Sequence, residues 1–187
     1  MEAKILIRQS GFFISAVATL SMAALSAEFI ADYKLSFFPF SFILIFYAAG
    51  IFLRGTFWKK AWKREKNAML RQSYAVISLF GTAAAALFLY FGSGQITVFP
   101  LAHYAADPYL LAVASLWSVY SLYELYMVNR ISALDGYKNA NYLSAAAIIL
   151  VDFSLVMTGV FAYLLPASLV LLSASTAVSG IRLGRVY

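Results

Sequence analysis

Asp152 sits in Leu150-Val151-Asp152-Phe153-Ser154, near the middle of an apolar tract running from about Asn141 to Ile181. In a membrane, a bare carboxylate at that depth costs about 2.5–3.5 kcal/mol on insertion scales. No Lys or Arg stands at similar depth in any apolar stretch of the chain. Asp152 must therefore hold a proton, or meet a cation, a water-filled cavity or another subunit. Its chemistry would be that of a proton or cation site. The plainer reading is a neutral acid hydrogen-bonded across helices to a Ser or Tyr.

Two further acids stand in apolar surroundings. Glu124 belongs to Trp117-Ser118-Val119-Tyr120-Ser121-Leu122-Tyr123-Glu124-Leu125-Tyr126. Trp117, Tyr120, Ser121 and Glu124 recur at helical spacing and share one face. A polar, aromatic face of this kind suits a cavity wall or a flat ligand, with Trp117, Tyr120 and Ser121 as the ligand-facing candidates. Otherwise Glu124 is an acid near the helix end, paired with Arg130 or another nearby base. Glu28 lies four residues before Asp32, on the same face of one helix. With Asp152 and Glu124, Glu28 completes a stepped set of carboxylates such as a proton or cation path uses. Solvated helix ends explain Glu28 and Asp32 equally well.

Other chemistries find no residues. The chain has no Cys, which excludes disulfides, thiolate metal sites and cysteine nucleophiles. Its one histidine, His103, excludes paired-histidine haem ligation and an H-E-x-x-H zinc site. A lone loop histidine beside Asp107 is seldom a pH sensor or a metal ligand. There is no P-loop, dinucleotide fingerprint or serine-hydrolase elbow. The sequence offers no catalytic set, no metal site and no cofactor site. It leans away from an enzyme.

These acids are carried by apolar helices. The chain has 187 residues, of which 63% are hydrophobic and 12% charged. A soluble domain carries about 25% charged residues, so most of this surface is expected to meet lipid. The apolar stretches run from about Gly11 to Ala31, Ser36 to Leu53, Ser73 to Phe91, and Pro108 to Val128, followed by the tract from Asn141 to Ile181. About 40 residues at 1.5 Å each is about 60 Å, twice a bilayer core. That tract must fold back, and Pro166 is the expected turn. The first stretch, about 21 residues long, exceeds a signal-peptide apolar region and is read as a span. The expected fold is all-α: one polytopic bundle of six transmembrane helices forming a single domain over residues 1–187.

Charge sets the threading. Of the 14 Lys and Arg, all but Lys34 fall on one side of such a bundle. Basic loops stay in the cytoplasm, so the segment from Arg54 to Gln72 and both termini are expected inside a cell (inner or plasma) membrane. Within that segment Trp58, Lys59, Trp62 and Lys63 read as an interfacial helix, with aromatics toward acyl chains and lysines toward anionic headgroups. The net charge of +6 is explained by the membrane surface, not by nucleic acid. Leu6-Ile7-Arg8-Gln9-Ser10 and Met69-Leu70-Arg71-Gln72-Ser73 open two spans alike, and Gly50-Ile51 and Gly180-Ile181 close two others. The likeness reads either as three repeated in–out–in hairpins or as the common need of an inner boundary for a basic and a small residue. Ser15, Thr19, Ala23 and Ala27 at four-residue steps, and Ser78, Thr82 and Ala86 likewise, read as helix-packing seams. Function then divides between a small transport or channel protein using the intramembrane carboxylate, and a non-catalytic subunit of a larger respiratory, secretion or transporter assembly. Candidate partners are lipid, other membrane subunits or further copies of the chain.

Overall fold

A computed structural model describes residues 2–31, 40–90, 108–131, 138–156 and 163–186. The described residues form six helices and no strand: α1 (Glu2–Ala31), α2 (Phe40–Arg64), α3 (Ala68–Tyr90), α4 (Pro108–Ile131), α5 (Lys138–Val156) and α6 (Leu165–Val186). Four are long and apolar enough to cross a membrane, over Gln9–Glu28, Phe42–Arg64, Ala68–Tyr90 and Leu165–Leu183. In α5 the described apolar stretch is Tyr142–Val151. Helix is the form that satisfies every backbone N–H and C=O within the segment, which an apolar surrounding demands. Side-chain hydroxyls follow the same rule. Thr19, Ser154, Ser168 and Thr176 each donate to the carbonyl four residues back.

Chain order is spatial order. Each helix packs on its neighbours in sequence, α6 closes against α1, and α4 also touches α6. Directions alternate around this ring. Trp58 meets Tyr74 across α2 and α3, and Ser173 of α6 donates to the Ala16 carbonyl of α1. Ser175 bonds Ser144 across α6 and α5. The α2–α4 contacts, Tyr47 with Trp117 and Arg54 with Glu124, share one sequence offset of 70 residues. A constant offset means parallel helices, as every second member of an alternating ring must be. An alternating ring of six contains three hairpins whatever their ancestry.

The closest approach is between α1 and α2. A Cβ built on Gly11 would lie 2.7 Å from the Arg54 nitrogen and 2.9 Å from the Gly50 carbonyl. One on Gly50 would strike Ser15. Gly180 brings α6 equally close, with its Cβ position 2.8 Å from that of Phe12. Ser15, Thr19 and Ala23 are buried along this seam, which is the role their spacing suggested. On the other side of the chain, Ser78 donates to the Gly55 carbonyl, while Thr82 and Ala86 are exposed.

Two boundaries differ from expectation. The segment from Arg54 to Gln72 is not a loop. Helix α2 continues to Arg64, and only Glu65, Lys66 and Asn67 separate it from α3. Arg54, Phe57, Trp58 and Ala61 keep an apolar-facing stripe at 3–4-residue spacing, and all four are buried, so packing carries the helix past the drop in hydropathy. The turn is closed by Asn67, whose side-chain oxygen accepts the backbone N–H of Met69 (3.0 Å) and Leu70 (3.3 Å) as the N-cap of α3. Nor is Pro166 the turn between the last two helices. It is the second residue of α6, where its missing N–H costs nothing because first-turn donors lack helical partners anyway.

Candidate functional site

The outer face of the ring is apolar, and its interior sets a group of polar side chains within a larger apolar core. Val17, Leu20, Phe46, Leu79, Val119, Ile149 and Val170 are exposed, while Arg54, Glu124, Ser121, Thr176 and Ser179 are buried.

Glu124 is the hub. It is 2% exposed and Arg54 6%, and the two form an ion pair across the ring from α4 to α2. The guanidinium engages the carboxylate side-on: Nε donates to Oε1 at 3.2 Å, and Nη2 donates to Oε2. The Trp58 indole N–H donates to Oε1 at 2.7 Å, and the Tyr120 hydroxyl donates to the same oxygen at 3.1 Å. A carboxylate offers about four acceptor positions, and four donors converge here. The flat faces of the guanidinium are covered as well. Phe12 lies 5.1 Å from its carbon on one contact and Tyr120 5.5 Å on another, within reach of cation–π attraction. Two helical turns along, about 10 Å by helix rise, the Trp117 indole N–H donates to the Tyr47 hydroxyl at 2.6 Å.

A small cavity opens beside this pair. One part of its wall is polar, with Tyr47, Arg54, Ser121, Glu124, Thr176 and Ser179, and the rest is apolar, with Phe12, Leu125, Val128, Ile148 and Leu172, drawn from α1, α2, α4, α5 and α6. The centre of a water molecule has about 30 Å³ in which to move, room for about two waters.

The face proposed on α4 is thus present as one unit. Trp117, Tyr120, Ser121 and Glu124 all point into the ring. Glu124 does not pair with Arg130, which is exposed. Its base is Arg54, a residue the hydropathy pattern had placed in a loop. Trp58 is a correction. Expected at the lipid interface, it is 0% exposed, because its indole N–H is spent on Glu124. Lys59, Trp62 and Lys63, assigned with it to the lipid interface, are exposed. Glu28 is half-buried on α1, with Oε1 buried and making no hydrogen bond among the described residues. Asp152 lies on α5, but its side chain is outside the described set, as are Asp32, His103 and Asp107. Among the described residues no three His, Cys, Asp or Glu side chains cluster as metal ligands.

The sequence reading overlooked Tyr47, Arg54 and the α6 hydroxyls. A signal was available for the last of these. Leu172, Ser175, Thr176 and Ser179 recur at helical spacing and form one stripe. No protein family model matches this chain, and no curated protein and no solved structure matches it either.

Proposed function

We propose that the chain is a six-span transport- or channel-type protein of the cell membrane, with its working centre at the polar cluster buried inside the helix ring. The observation that carries this reading is the Arg54–Glu124 pair and the hydroxyl-lined cavity beside it, enclosed by helices whose outer faces are apolar. Polar and ionisable groups inside a membrane bundle are expensive and mark solute or ion pathways. A protein needing only to be anchored would fill this space with apolar side chains, since replacing a buried ion pair by packed hydrophobic residues is often neutral or stabilising.

The three acids divide in this reading. Glu124 is committed to Arg54, Trp58 and Tyr120, so it serves as the fixed counter-ion of the centre. Proton or cation handling then falls to Asp152 and Glu28, the second of which has a buried oxygen without a hydrogen-bond partner among the described residues. Helix α2, with 25 residues, is about 37 Å long by its rise. That exceeds a hydrocarbon core of about 30 Å, so its Lys59–Arg64 end reaches the anionic headgroups on the cytoplasmic side.

A second reading, a non-catalytic subunit of a larger assembly, is favoured by α3. Its span is 28% buried, against 44–56% for the other three candidate spans. Its exposed face includes Thr82, Ala83 and Ala86, small residues that let another helix come close. Purification and reconstitution separate the two. A chain that is monodisperse alone and moves a solute or protons in vesicles has the first role. A chain that copurifies in fixed ratio with other membrane subunits, and moves nothing when reconstituted alone, has the second.

A further inference from the structure

We infer that the cavity beside Arg54 is a binding site for a small uncharged solute that both accepts and donates hydrogen bonds, of the size and chemistry of a simple amide or urea. The argument begins with two hydroxyls. Ser121 and Ser179 are each 8% exposed, both line the cavity, and neither hydrogen-bonds to any described residue. Both hydroxyls open onto the cavity and find their partners there, so the occupant of this space must be a hydrogen-bonding one. Thr176 and Ser175 differ, because their hydroxyls are used within the protein. Tyr47 adds a third free function. Its oxygen accepts from Trp117, and its own hydrogen goes to no described residue.

Charge then selects among polar occupants. The pair in the wall is balanced, one guanidinium against one carboxylate. A cation would face Arg54, while Glu124 has already given four acceptor positions to protein donors. An anion would place a second negative charge beside Glu124 in a low-dielectric interior. An unpaired ion of either sign carries a desolvation penalty that this wall does not offset. A neutral solute avoids it. Glu124, with all four acceptor positions taken by Arg54, Trp58 and Tyr120, balances the charge of Arg54 and adds no further acceptor. The Tyr47 hydroxyl, whose oxygen is held by Trp117 and Arg54, offers its hydrogen to a carbonyl oxygen. Ser121 and Ser179 serve in either sense. The space, about two waters' worth, limits the solute to a few heavy atoms.

The flux part of this inference rests on the transport reading; the binding part does not, and the experiment keeps them apart. Purified full-length protein in detergent is titrated with millimolar urea and acetamide, with ammonium, acetate and chloride as charged controls, and binding is read by ligand-observed NMR. Binding of the neutral pair alone is expected. Ser121→Ala and Ser179→Ala should each weaken it about three- to tenfold, the worth of one hydrogen bond. Neither should lower the melting temperature of the empty protein, because each removes a cavity-facing hydroxyl that bonds to no described residue. Ser179→Leu, which fills the cavity, should abolish binding. Vesicle uptake of labelled urea is then measured with the same proteins. Binding without uptake keeps the site and ends the transport reading. Preferred binding of a charged control overturns the inference. So does absence of binding, or alanine variants that bind normally and melt lower, which would make the hydroxyls structural.

Discussion

At the residue scale, the Arg54–Glu124 pair is where a single change should be felt most. Removing one partner of a buried ion pair leaves the other charge uncompensated, at a typical cost of about 3–5 kcal/mol. Arg54→Met should therefore be strongly destabilising in detergent melts. Arg54→Met combined with Glu124→Leu should recover much of the loss, because no charge is then stranded. A double variant as unstable as Arg54→Met alone would show that Trp58 and Tyr120, not charge balance, dominate the site. Asp152 makes a different prediction. Asp152→Asn should keep the fold, since an amide still donates and accepts, and should abolish any proton-coupled or cation-dependent flux. Flux unchanged from wild type would leave Asp152 a structural residue. Half of this site was legible in the sequence. Glu124 with Trp117, Tyr120 and Ser121 declared itself by helical spacing on one chain segment. Its partner did not, because pairing across the ring joins residues 70 positions apart, and nothing local to Arg54 distinguishes a buried guanidinium from one at a membrane boundary.

At the element scale, the glycines of α2 make a controlled comparison. Gly50 faces Ser15 with no room for a Cβ, and Gly11 faces the backbone of Arg54 and Gly50. Alanine at either must push α1 and α2 apart, and overpacking of this kind typically costs about 1–3 kcal/mol. Gly55 lies on the same helix, but its Cβ position is 3.5 Å or more from Ser78 and Thr82, an ordinary contact. Gly55→Ala should be neutral, or stabilising by up to about 1 kcal/mol through helix propensity. Melting temperatures of the three variants in one detergent decide the matter. Equal losses at all three positions would mean that the α1–α2 crossing is not the tight one. The same helix explains why α2 was read too short. Hydropathy falls at Arg54, yet the stripe of Phe57, Trp58 and Ala61 is buried against the rest of the ring, and tertiary packing outweighs the average polarity of Lys59, Lys60 and Lys63. The start of α6 was misjudged for the opposite reason. Proline breaks a helix interior but is welcome in its first turn, and a sequence alone does not say on which side of Pro166 the chain reverses.

At the scale of the whole molecule, the alternating ring puts the Lys and Arg of the described helices toward one end. The start of α1, the end of α2, the start of α3, the end of α4, the start of α5 and the end of α6 are together there, and they carry Lys59, Lys60, Lys63, Arg64, Arg71, Arg130 and Arg182. Glu28 stands toward the other end. This agreement between fold and charge was not required by packing. On the proposed membrane reading, the bias is the one insertion produces, because Lys and Arg are retained on the cytoplasmic side. The ring's direction in the membrane is therefore expected to be fixed by the α2–α3 turn, which holds the densest basic cluster. A cysteine placed at Lys60 in this cysteine-free chain gives one reactive position. In intact cells it should resist a membrane-impermeant thiol reagent and react once the membrane is opened. Replacing Lys59, Lys60, Lys63 and Arg64 together by Gln should loosen the orientation, so that a fraction of molecules carries the cysteine outside, while the helices themselves still pack. Labelling from outside in the unaltered basic background would mean that the bundle inserts the other way round, and the cytoplasmic assignment of both termini would fall with it.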